Sequence, residues 1–156
     1  MTAPETVTDP DLQEVAWDLS HLLNGAGDDP QAGVDALLGE AQERANAFAA
    51  SYAGKVASLD GAGLIAAMKE LGEIEEIAGR AGTYAHLSFS IDTANPAYGA
   101  LLQRVEEKGT AIETVLLFFH LEWAALDDAH ADELLKTEGL DFARHHLATA
   151  RRYRPA

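Results

Sequence analysis

Between Leu64 and Leu126 the apolar residues recur at steps of three and four almost without a break, interrupted once at Ser90-Ile91-Asp92-Thr93-Ala94-Asn95-Pro96. That spacing keeps side chains on one stripe of a helix. Two long helices joined by so short a loop must lie antiparallel. In the second, Leu102, Val105, Gly109, Ile112, Leu116, Phe119, Trp123 and Leu126 share the stripe, and the spacing predicts a helix of about eight turns. Asn95 is its expected N-cap and Pro96 its first residue, where the missing N–H is no loss. The partner starts after Asp60 and carries Leu64, Met68, Leu71, Ile74, Ile77, Ala81, Tyr84, Ser88 and Ile91. Gly72, Gly79, Gly82 and Gly109 each weaken helix propensity by up to about 1 kcal/mol relative to Ala. The expected compensation is close approach of neighbouring helices.

The remaining segments attach to this pair. Residues 1–16 are polar, contain Pro4 and Pro10, and are expected to be a mobile N-terminal segment. Trp17-Asp18-Leu19-Ser20-His21-Leu22-Leu23 reads as an extended strap that buries Trp17 and the leucines, followed by the turn cluster Asn24 to Pro30. Asp29-Pro30 opens a helix with Val34, Leu37, Leu38, Ala41, Ala45, Phe48 and Tyr52 on one face and Gly54 near its end. Past Leu126, Asp127-Asp128 caps a short helix with Leu134 and Leu135. Gly139 then separates it from a last helix with Leu140, Phe142, Ala143, Leu147 and Ala150. No strand pattern competes. The expected fold is all-α: an antiparallel helical bundle with two long central helices, one preceding helix and two short C-terminal helices. Residues 17–156 form one α-helical domain, and a chain of 156 residues can bury an ordinary core.

Composition narrows the function. The formal net charge of −15 opposes nucleic acid, whose binding begins with Lys and Arg displacing counterions, and equally opposes an anionic membrane. Charge is uneven, with no Lys or Arg before Arg44 and Arg144, Arg151, Arg152 and Arg154 near the end. A solvated acidic surface explains this, and a site for cationic ligands is the alternative. The absence of cysteine excludes disulfides, a thiolate nucleophile and Cys-ligated zinc. With no signal-peptide pattern at the start and no apolar run near the length of a bilayer span, the expected location is cytoplasmic.

Candidate chemistry is sparse. His-Glu-x-x-His, which sets two imidazoles and a general base on one helical face, does not occur. Asp18-x-x-His21, Asp127-x-x-His130 and His130-x-x-Glu133 each put two potential ligands within reach, and helix-end charges explain them as well. A di-iron bundle would need paired Glu-x-x-His motifs and further inward glutamates, which are missing. Asp141 stands four residues before His145, the spacing of a helix-surface ion pair. His86 and His120 flank the central stripes as buried or half-buried, hydrogen-bonded histidines. Gly25-Ala26-Gly27 and Gly61-Ala62-Gly63 lack the Lys-Ser/Thr ending of a phosphate loop, and no serine sits in a nucleophile elbow. Phe118, Phe119 and Trp123 read as core, or as the lining of a ligand site.

Four segments in order resemble a known family: Trp17-Asp18-Leu19-Ser20-His21-Leu22; Arg80-Ala81-Gly82-Thr83-Tyr84-Ala85-His86-Leu87 with Asp92-Thr93; Leu116-Leu117-Phe118-Phe119-His120-Leu121-Glu122-Trp123; and Arg151-Arg152-Tyr153-Arg154-Pro155. Together they resemble the N-terminal region of oligoendopeptidase F, of the thimet-oligopeptidase-like zinc metallopeptidases. The resemblance implies a helical wall of a deep cavity that admits short peptides. A later catalytic domain of such enzymes holds zinc through His-Glu-x-x-His and a downstream glutamate, and the metal-bound water attacks the peptide bond. This chain carries none of those positions. The expectation is therefore no catalytic, cofactor-binding or metal-binding residue here, inactivity alone, and zinc only in the catalytic domain. The implied partners are that domain and, at family level, short peptides, with self-association through faces it would otherwise cover. The alternatives are a free-standing acidic helical adaptor presenting a groove to a partner helix, and a small metalloprotein using His and Asp/Glu clusters.

Overall fold

The computed structural model describes residues 18–24 and 29–152, which contain five α-helices and no strand. They are α1 (Pro30–Tyr52), α2 (Gly61–Ile91), α3 (Pro96–Ala125), α4 (Asp128–Leu135) and α5 (Asp141–Arg152), with 3-10 turns at Ser20–Leu23 and Val56–Ser58. The all-α bundle is as the periodicity requires. Trp17, residues 1–16, Gly25-Ala26-Gly27 and the stretch from Tyr153 lie outside the described residues, so the strap is seen only in part, and the part seen, Ser20–Leu23, is a 3-10 turn in place of the expected extended chain. Leu23 is buried at its end.

Short acceptor side chains fix where helices begin. Asp29 accepts from the Ala32 N–H at 3.1 Å, Asp60 from Gly63 at 2.7 Å, Asn95 from Ala97 at 3.0 Å and Asp127 from His130 at 2.9 Å. Each satisfies an N–H that has no partner inside the helix. Pro30 and Pro96 occupy first-turn positions, as expected. Two links require a left-handed backbone and use glycine for it: Gly54 after α1 has φ 75° and Gly139 before α5 has φ 88°.

Helices α1, α2 and α3 run up, down and up around one core. Phe48 of α1 meets Phe118 and Phe119 of α3 with ring centroids 5.8 and 5.6 Å apart, and Asp35 pairs with Arg104 at 3.2 Å and Lys108 at 3.5 Å. Both contacts ascend together, so α1 is parallel to α3. Arg44 meets Glu73 of α2 at 3.0 Å. These exposed pairs are worth at most about 1 kcal/mol each and mark register more than they stabilise. Burial does the stabilising: Val34, Ala41, Ala45, Phe48, Leu64, Ile74, Phe119 and Trp123 are all fully enclosed. α1 is thus a full third member of the core, which the emphasis on a central pair understates.

Three expectations about side chains are corrected. Phe142 is 57% exposed, because Ala143 and Leu147 form the inward face of α5 and Phe142 stands beside it. Ile91 is 66% exposed at the last residue of α2, one turn beyond Ser88, the final buried position. The helical glycines do not mark close helix approach. A Cβ added at Gly72, Gly79, Gly82 or Gly109 would meet no neighbouring atom within 4 Å.

Candidate functional site

Gly79 and Gly82, one turn apart on α2, and Gly109 on α3 line a groove of about 660 Å³ between these helices, on a side that α1 does not contribute to. Leucine or isoleucine at those positions would have filled it. The floor is apolar, from Ala78, Val105, Ile112 and Leu116, while Glu75, Glu106 and Glu113 stand along it. No Lys or Arg lines the groove. The two arginines and the lysine nearest in sequence are directed elsewhere: Arg80 to the Leu22 carbonyl, and Arg104 and Lys108 to Asp35. Leu117, 49% exposed, lines the groove, and Leu121, 60% exposed, follows one turn on.

His86 and His120 stand toward opposite ends. His86 is exposed, which corrects the expectation of a buried or half-buried ring. The groove leaves open the face on which the ring would otherwise be packed. His120 is half-buried as expected, edge-on to Phe119 and with its ring centroid 5.7 Å from that of His146 on α5. Burial holds the His120 pKa below the usual histidine value, the nearby His146 adds to the depression, and Glu75 opposes it. At neutral pH the ring is a neutral donor and acceptor. The groove therefore presents an apolar floor, carboxylates and a neutral imidazole, a combination suited to holding a cationic or amphipathic ligand.

Two of the three spaced pairs serve as helix and turn caps, and in His130-x-x-Glu133 the glutamate pairs with Lys136 at 3.0 Å. Asp127 of Asp127-x-x-His130 caps α4, and Asp18 of Asp18-x-x-His21 accepts from Ser20 N–H at 2.9 Å while its carbonyl lies 3.1 Å from His21 Nδ1. Asp141 pairs with Arg144 and not with His145, since the guanidinium also reaches the Leu135 and Thr137 carbonyls and is drawn to that side. Among the described residues no group of three or more His, Asp or Glu side chains is arranged to hold a metal ion. Phe119 and Trp123 are core, and Phe118 is half-buried against it.

Residues within the segments that carry the resemblance, Arg80 and Glu122 singled out by it alone, join distant parts of the chain. Arg80 donates to the Leu22 carbonyl from Nε at 3.0 Å and Nη2 at 2.9 Å, and also bonds Asn24. Glu122 accepts from the N–H groups of Gly54 at 2.7 Å and Val56 at 3.2 Å, closing the link between α1 and α2. Trp123 Nε1 donates to the Leu147 carbonyl at 2.9 Å, and Arg151 donates to the carbonyls of Trp123 at 2.8 Å and Leu126 at 2.7 Å. The groove itself has a sequence signal, glycines at helical spacing with acidic neighbours, but helical periodicity alone does not say whether such glycines face a neighbour or open space.

These elements define an all-helical bundle with an acid-lined groove. Comparison of the chain with protein-family models, curated proteins and solved structures finds no match. No single described helix is long and apolar enough to cross a membrane.

Proposed function

We propose that this chain is a helical wall domain of an oligoendopeptidase F-like zinc peptidase, contributing to the enclosure of short peptides and leaving hydrolysis to a separate zinc-bearing domain. The observation that carries the reading is that the segments behind the resemblance act on one another or on neighbouring links. Arg80 holds Leu22, Glu122 holds Gly54 and Val56, and Arg151 holds Trp123. Contacts of this kind serve the fold and attach no chemistry to the residues that make them. A scaffold of this kind is what an enclosing wall requires.

Incubation of the purified chain with quenched fluorogenic short peptides, with and without added zinc, tests the proposal. The expected result is no hydrolysis under either condition, with peptide contacts visible as chemical-shift changes on the bundle. Zinc-dependent cleavage by this chain alone would overturn it. The groove also favours a second reading, an acidic helical adaptor, because it offers an apolar floor to a partner.

A further inference from the structure

We propose that the groove between α2 and α3 is the docking face for a cationic amphipathic helix that lies outside residues 1–156. Three features of the groove converge on this occupant. The first is its glycines. Gly79, Gly82 and Gly109 each lower helix propensity and gain no internal packing in return, since a Cβ at any of them would meet nothing within 4 Å. Gly39 and Gly72 are equally open but do not line the groove. Glycine on a helix surface lets another backbone approach closely, and here that space is concentrated in one groove.

The second is the backbone chemistry of its surroundings. An extended peptide that docks by strand addition needs a sheet edge, and no strand occurs among the described residues. A helix satisfies its own backbone and needs only an apolar floor, which Ala78, Ile112 and Leu116 supply. From Glu75 to His86 the α2 side of the groove runs about 16 Å, enough for about three helical turns. The resulting arrangement is a fourth helix laid on a three-helix bundle, with Leu117 and the more exposed Leu121 extending the apolar contact at one end.

The third is charge. Glu75, Glu106 and Glu113 are lining residues and no Lys or Arg is. This chain has little to offer such a groove. Outside the described residues the sequence contains a single basic residue, Arg154, and a second copy would bring another formal charge of −15. In the C-terminal part Arg144 and Arg151 are already committed to carbonyls and carboxylates of their own chain. The occupant is therefore a segment outside these 156 residues, with Lys or Arg flanking an apolar stripe. This inference is independent of the peptidase reading.

The test uses a synthetic helix of about 14 residues, with Leu and Ala on one face and Lys on the other, against the intact chain. Two control peptides replace Lys by Glu or scramble the pattern at constant composition. The expected result is binding of the Lys helix alone, weakening as salt rises, with chemical-shift changes centred on Gly82, Gly109 and Leu117. Gly82→Leu fills the floor and is expected to lower affinity by about tenfold or more. The double variant Glu106→Gln and Glu113→Gln, at two exposed positions, is expected to lower it several-fold and flatten the salt dependence. If Gly82→Leu fails to fold, the double variant decides. No binding of the Lys helix, equal binding of the Glu or scrambled peptide, or undiminished binding by the double variant would overturn the proposal. A concentration-dependent dimer protecting the same groove residues would also overturn it, by making a second copy the occupant.

Discussion

Arg151 reaches from the last turn of α5 to the carbonyls of Trp123 and Leu126 and to Asp128, with its guanidinium carbon 5.8 Å from the centre of the Trp123 ring. Its side chain is only 9% exposed, and the donors of its planar fork are spread widely enough to meet acceptors in separate directions, which the three donors on a single lysine nitrogen match poorly. Arg151→Lys is expected to destabilise the fold by about 1–3 kcal/mol, read as a lower urea midpoint, and an unchanged midpoint would mean the contacts are idle. Trp123→Ala removes a fully buried indole together with its bond to Leu147, with an expected loss of about 3–5 kcal/mol. His120 gives a pH test. Its pKa is lower in the folded chain than in the unfolded one, so between the two values the unfolded state binds more protons. The stability it contributes is present above the ordinary histidine pKa of about 6.5 and is lost as pH falls through the depressed value. Urea unfolding at neutral and mildly acidic pH should show a steeper acid loss for the native chain than for His120→Gln, with His146 and Glu75 left in place. Equal slopes would contradict the depression.

At the level of helices, most of the architecture is legible in the sequence because caps and stripes are local signals. Asn95-Pro96, Asp29-Pro30 and Asp127 mark helix starts, Gly54 and Gly139 mark the links, and Leu64, Ile74, Ile112, Phe119 and Trp123 mark the buried faces. What is not local is not legible. Glu122 lies 66 to 68 residues from the N–H groups it serves, and nothing in its neighbourhood announces that role. The exposure of Phe142 depends on which side of α5 meets α3 and α4, and the openness at Gly79, Gly82 and Gly109 depends on where α1 packs. The last point yields a prediction about helix strength. Gly82→Ala and Gly109→Ala add a methyl group to open space, and each is expected to stabilise the chain by up to about 1 kcal/mol. A thermal melt at the same or a lower temperature would show that the positions are already packed.

For the molecule as a whole, the acidic surface and the bundle act together. A charge of −15 on a chain of 156 residues gives a strongly acidic molecule, and the open groove concentrates carboxylates over apolar surface. Distant segments are joined by Arg80, Glu122 and Arg151, so the bundle is suited to present a surface, and chemistry is assigned to a partner domain in the reading proposed above. That reading has a direct consequence for size in the cell. An antibody raised against residues 64–126 should detect, in native extracts, a protein several times heavier than the 16.6 kDa of this chain, carrying the zinc-binding domain on the same polypeptide. A single band at 16.6 kDa, with no heavier species, would contradict the peptidase-wall proposal and leave the groove-bearing adaptor as the function to pursue.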